Sequence, residues 1–202
     1  MALLGLEVFR GPRAVLLPLY GAALGVAGAW IYHLQGLPSP ATAIFIAMLW
    51  GGLALAPHQR KMGIQGWILL AAAIALRYML IENLAGPGVL AIFIAAQTVP
   101  RAAMIAIAWV SRPAGYGIAH QFSSTLTTPA ALISILIGVA AAIPCGVRAA
   151  AMILVGAFLI IRVVRWFAYR YAGGVNGNLL GATQLFTELF VLAMFTCGAC
   201  RW

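Results

Sequence analysis

Apolar stretches near twenty residues long recur along the chain, separated by short polar or glycine- and proline-rich punctuation. A helix of that length matches the hydrocarbon thickness of a bilayer, and no strand-like alternation of polar and apolar positions points to a barrel. The pattern predicts about seven spans, near 14–33, 41–56, 63–84, 87–110, 129–143, 147–167 and 179–196. The second is short and needs shielding by its neighbours or local thinning of the bilayer. Gly21, Gly25 and Gly28 give the first span a small-residue packing face. Pro100 interrupts the fourth, where it removes a backbone donor. The longest polar stretch, Ser111 to Thr128, separates the fourth span from the fifth.

Composition turns this pattern into a class. Of 202 residues, 64% are hydrophobic and 7% charged, whereas a soluble domain is about a quarter charged. The fold class that follows is all-α: one polytopic helical bundle over residues 1–202, with no internal repeat that would suggest an inverted-repeat transporter. A net charge of +9 and a pI near 10.4 would suit nucleic acid. However, the basic residues sit in small groups at the ends of apolar runs rather than on one soluble face, so a nucleic-acid partner is excluded. Arg10, Arg13, Arg60, Lys61, Arg112, Arg165 and Arg170 fall on one predicted side, with Arg162 just within the bilayer edge, against Arg148 and Arg201 on the other. By the positive-inside rule the N-terminus is cytoplasmic and the chain is a multi-pass protein of the lipid bilayer. Arg10 and Arg13 before an apolar run mimic a signal peptide, but the run reads as the first span because no soluble domain follows it. Cys145, Cys197 and Cys200 form no disulfide framework, and the Cys197-to-Cys200 spacing lacks the second pair that zinc needs and the soluble fold that redox chemistry needs. His58 and His120 read as loop histidines.

The stretch Arg162 to Glu188 concentrates the candidate chemistry. Arg162, Arg165 and Arg170, interleaved with Trp166, Tyr169 and Tyr171, end one apolar run. Forked guanidinium groups at a membrane surface hold phosphates in fixed geometry, although the same cluster also reads as an interfacial anchor. The turn Gly173 to Asn178 would let backbone amides approach an anion, or simply connect two helices. Glu188 lies inside the last span, a position that marks a functional candidate or the partner of a buried Arg77 or Arg101. The predicted phosphate-binding set is Arg60, Lys61, Arg101, Arg165, Arg170, Gly173, Gly174 and Gly177; the catalytic candidates are Glu188 and Asn178; no metal ligand is assigned.

Gly173 to Glu188, GGVNGNLLGATQLFTE, resembles the C-terminal signature of the cobalamin synthase family, the adenosylcobinamide-GDP ribazoletransferases. Gly173, Gly174, Gly177, Leu180, Gly181, Ala182, Glu188 and Leu189 carry the match. Leu17 to Gly21 with Gly25, Trp50–Gly51–Gly52, Arg60 to Gly66 and Pro100–Arg101 resemble further family pieces in the family's order. The resemblance implies a bacterial plasma-membrane protein of nucleotide-loop assembly. Its reaction joins adenosylcobinamide-GDP to α-ribazole or its phosphate, with release of GMP and with Mg²⁺ as cofactor. Corrinoid and nucleotide-bearing small molecules, self-association and other enzymes of the pathway are the implied partners. The chain departs from the pattern as a shortened, divergent member. Gly52 runs almost directly into Arg60 without the family's Asp-rich loop, Asn178 replaces an Asp, and Gln184–Leu185 stand where a second acid is usual. The acids present, Glu7, Glu82 and Glu188, do not support Mg²⁺ binding. A non-catalytic relative that binds or scaffolds the pathway, and a small membrane transporter using Arg77, Arg101 and Glu188, are the alternative readings.

Overall fold

The computed structural model describes residues 11–34, 46–47, 64–84, 88–115 and 118–196. Seven α-helices run through them: α1 (Leu16–Leu34), α2 (Ile64–Glu82), α3 (Val89–Val110), α4 (Ile118–Thr125), α5 (Thr128–Ala142), α6 (Val147–Tyr171) and α7 (Gly177–Thr196). Short 3₁₀ turns precede α1 (Gly11–Val15) and follow α5 (Ile143–Cys145). Among the described residues, five stretches are long and apolar enough to cross a membrane: Gly11–His33, Val89–Val110, Thr128–Cys145, Val147–Tyr171 and Gly177–Thr196. The chain is an integral, multi-pass helical protein. The predicted third span appears as α2, whereas the predicted second span lies outside the described residues, apart from Ile46 and Ala47, which are helical and buried.

Helix α3 is the axis of the bundle. It packs against α1, α5 and α7, and sixteen of its 22 residues are buried. The predicted interruption at Pro100 does not occur, since α3 runs unbroken through the proline. Surrounding helices hold the backbone there, which is how proline is tolerated inside a membrane bundle. The small-residue face of α1 lies against this axis. A Cβ on Gly21 would stand 2.4 Å from the Gln97 carbonyl oxygen, and one on Gly25 would stand 2.6 Å from the Ile94 Cα. Removing both side chains lets two backbones approach to a distance that no other residue permits.

The ends of the helices sort onto two faces. On the near face, the Gly11 amide donates to Thr125 Oγ1 (3.3 Å), and the Ala114 amide donates to the Val175 carbonyl (2.9 Å). The start of α1, the Ser111–Thr127 connection and the α6–α7 turn therefore share that face, as the span pattern requires. On the far face, the Tyr32 hydroxyl donates to the Leu84 carbonyl (2.7 Å), joining the ends of α1 and α2. The long polar stretch of the sequence holds α4, whose Ala119 and Phe122 are buried beside Ala14 and Leu17.

Two apolar clusters fill the interior, one toward each face. The far cluster includes Phe93 of α3, Ala142 of α5 and Val191 of α7; the near cluster includes Met104, Ala131 and Leu180 of the same three helices. Between them along α3, α5 and α7 lies a band of buried polar side chains: Gln97, Thr98 and Arg101, then Ser134, then Thr183, Gln184, Thr187 and Glu188. Arg77 of α2 is buried with them. Ser134, Thr183 and Thr187 satisfy their hydroxyls on carbonyls one turn earlier in their own helices, at 2.7–2.8 Å.

Candidate functional site

The near end of α6 carries one arginine-aromatic stripe. Arg162, Arg165, Trp166, Tyr169 and Arg170 recur at helical spacings of three and four, which places them on one side. They line a hollow of about 450 Å³. Arg165 sits over the Tyr169 ring, 5.6 Å from its centroid, and the Tyr169 hydroxyl accepts from the Arg112 amide at 2.8 Å. That stacking fixes one guanidinium plane while leaving its fork free to bond. No carboxylate pairs with these three arginines among the described residues. The helix reaches this position because it continues past the predicted end at Phe167 to Tyr171. Its 25 residues span about 37 Å, longer than a hydrocarbon core of about 30 Å, so its last turns stand at the membrane surface.

The glycine turn beside the stripe is a structural clasp. Gly173 adopts φ +67°, the left-handed conformation that closes α6. The Gly174 amide donates to the Ala168 carbonyl (3.1 Å), and the Val175 amide to the Arg112 carbonyl (2.9 Å). A Cβ on Gly174 would lie 2.7 Å from that Arg112 oxygen, so the residue must be glycine for the turn to lie against the Arg112–Ala114 segment. These two amides are engaged within the protein, so Gly174 serves the turn's contact with the Arg112–Ala114 segment. Asn176 caps α7 by accepting from the Leu179 amide at 3.0 Å. Gly177 opens the helix, and Asn178 is exposed at its start.

Glu188 lies elsewhere. It sits ten residues beyond Asn178, about 15 Å deeper along the helix, so these two do not form a joint catalytic pair. Both its oxygens are taken by Arg77: Nε donates to Oε1 at 2.7 Å and Nη2 to Oε2 at 2.8 Å. Of the two partners the sequence allows, the fold selects Arg77. Arg101 is also in the band rather than at the α6 hollow. Its Nη1 donates to both the side-chain oxygen (2.9 Å) and the carbonyl of Gln97, and its guanidinium lies over the Tyr20 ring, 5.7 Å from the centroid. Of the predicted phosphate-binding set, the structure brings Arg165 and Arg170 together. It adds Arg162, whose spacing on the same helix side is the signal for it, and it places Arg101 apart. Arg60 and Lys61 lie outside the described residues. Gln97 and Thr98 were not singled out in the sequence, although their positions four and three residues before a buried arginine put them on its face.

The donor set does not fit a hard divalent cation. Glu188 is locked by Arg77, Glu82 ends α2 on the far face, and Glu7 lies outside the described residues. No group of three His, Cys, Asp or Glu side chains converges among the described residues. A Mg²⁺ site needs carboxylates turned toward a common point, and the described residues form none.

A multi-pass helical membrane protein with a buried polar band and an arginine stripe at one face is the class that this geometry defines. The profile of the cobalamin-5-phosphate synthase family matches residues 57–196, and the chain belongs to that family. Membership implies a place in cobalamin nucleotide-loop assembly, and members of the family are typically Mg²⁺-dependent. No curated protein and no solved structure matches the chain. The α6 stripe, the clasp and the Arg77–Glu188 pair all fall within the matched residues.

Proposed function

We propose that this protein binds a phosphate-bearing intermediate of cobalamin nucleotide-loop assembly at the cytoplasmic face of the bacterial plasma membrane, without metal-dependent transfer. The carrying observation is an imbalance of charge. Arg162, Arg165 and Arg170 line one hollow with no opposing carboxylate among the described residues, while Glu188 is consumed by Arg77. Guanidinium forks suit the diphosphate of a nucleotide-activated corrinoid such as adenosylcobinamide-GDP, and Trp166 and Tyr169 offer flat apolar surface beside them. Arg13, Arg112, Arg165 and Arg170 lie at the near face against Arg148 at the far one, so the positive-inside rule puts the near face and the N-terminus in the cytoplasm. Other enzymes of the pathway, or a second copy of the chain, would receive or supply the ligand in the membrane.

The test is purified protein in detergent with adenosylcobinamide-GDP, α-ribazole and Mg²⁺. Saturable corrinoid binding that falls at least tenfold in an Arg165→Ala, Arg170→Ala double variant is expected, with no GMP release. The family match favours one second reading, catalysis of the joining reaction itself. GMP release that requires Mg²⁺ would establish it and would overturn the binding-only proposal.

A further inference from the structure

Charge does not balance in the buried band. Arg77, Arg101 and Glu188 are each at least nine-tenths buried, which sets two cations against one anion. Arg77 takes both oxygens of Glu188. Arg101 interacts electrostatically with Glu188 and with Arg77, but its hydrogen bonds go to neutral Gln97. Among the described residues no spare acid lies at this level, since Glu82 is at the far end of α2, and residues 35–63 of the sequence contain no Asp or Glu. Three donor groups in the same band also lack partners among the described residues, namely Arg77 Nη1, Gln97 Nε2 and Thr98 Oγ1. Gln97 and Thr98 share the α3 face of Arg101. The other hydroxyls of the band bond back to their own helices, so the unsatisfied donors gather at the Arg101 end. Buried water can satisfy such donors, but it does not neutralise a buried charge.

We infer that the Arg101 end of the buried band, where α3 lies against Tyr20 and Gly21 of α1 and within electrostatic reach of the Arg77–Glu188 pair, is a second anion site, and that it takes a phosphate-class oxyanion. A guanidinium, a carboxamide and a hydroxyl are directional donors, which suit the several oxygens of a phosphate better than a spherical halide. Inorganic phosphate and the phosphomonoester of a small ligand share this chemistry. The site does not depend on the α6 hollow, and either one can fail without the other.

The experiment follows thermal unfolding of the purified protein by tryptophan fluorescence in a gluconate buffer, with inorganic phosphate, GMP or chloride added at constant ionic strength. A saturable rise in Tm with phosphate, absent with chloride, is expected; a larger rise with GMP at equal concentration identifies a phosphomonoester as the preferred source. Arg101→Gln, checked as a monodisperse helical protein, should abolish the rise. Thr98→Val replaces the unpartnered hydroxyl with a methyl group of the same shape. It should leave the anion-free Tm unchanged or higher while weakening phosphate binding about fivefold. The Arg165→Ala, Arg170→Ala double variant should keep the full rise. An equal effect of chloride, no saturable rise, a rise that survives Arg101→Gln, or a rise lost only in the α6 double variant would each overturn the inference.

Discussion

Arginine is used in opposite ways at two levels of this molecule. In the buried band, Arg77 is 1% exposed and spends its fork on one carboxylate. At the near end of α6, Arg162 and Arg170 are exposed, Arg165 is half-buried against Tyr169, and no acid among the described residues pairs with them. The cost of the charge differs accordingly. A guanidinium within a span needs a partner because the surrounding medium supplies none, whereas one at the interface is solvated by water and headgroups and can wait for a ligand. The paired arginine therefore belongs to the architecture, and the unpaired ones are available for binding.

The largest expected effect comes from breaking the buried pair. Glu188→Ala leaves Arg77 and Arg101 both uncompensated, and removal of one partner from a buried ion pair costs about 3–5 kcal/mol. The unfolding free energy read from denaturant-induced helix loss in mixed micelles should fall by that amount, with the midpoint shifting down accordingly. Arg77→Met combined with Glu188→Leu should recover most of it, because the pair is replaced by apolar groups of similar volume. If Glu188→Ala instead keeps its stability but loses corrinoid binding, Glu188 contacts the ligand and the division between architecture and binding fails.

The contact of α1 with α3 comes next. Gly25→Leu drives a side chain into the Phe93–Ile94 backbone, where even a Cβ would stand 2.6 Å from the nearest atoms. A cost of about 1–3 kcal/mol is expected, as for an overpacked core, read by the same unfolding measurement. This contact also shows how far the sequence could be read. The Gly21, Gly25 and Gly28 spacing predicted a packing face, and both the face and its use follow from the pattern, because a membrane span offers few reasons for three glycines on one side. The span boundaries were equally legible: 147–167 was predicted where α6 begins at Val147, and 87–110 where α3 covers Val89–Val110. The far limit of α6 was not, since a hydropathy pattern stops at the bilayer edge whereas the helix continues until Gly173 turns left-handed.

The site was less legible than the spans. Choosing Arg77 over Arg101 as the partner of Glu188 depends on how α2, α3 and α7 rotate about their axes, and no single helix's periodicity contains that information. The glycine turn was open to two readings for a related reason. A Gly-Gly pair signals that the backbone comes close to something, but not whether that something is a ligand or, as at Gly174, the Arg112 carbonyl. The arginine stripe was the exception. Its i, i+3, i+7 and i+8 spacing on one helix is local, so the sequence alone groups Arg162 with Arg165 and Arg170, although the predicted phosphate-binding set leaves Arg162 out.

The smallest effect on stability is expected at that stripe, and it sharpens the comparison most. Arg170 is exposed and makes no ion pair among the described residues, so Arg170→Ala should change the unfolding free energy by less than about 0.5 kcal/mol. Arg165→Ala also removes the stack on Tyr169, worth about 0.5–1 kcal/mol at an exposed site, and should be slightly more costly. Each substitution should nevertheless weaken corrinoid binding, and increasingly so as salt is lowered, because an interfacial charge that contributes little to the fold is unscreened toward an incoming anion. Titrating adenosylcobinamide-GDP against both variants at two ionic strengths separates the outcomes. Loss of stability without loss of binding would make the stripe a membrane anchor, and Arg162, Arg165 and Arg170 would then serve the fold as Arg77 does.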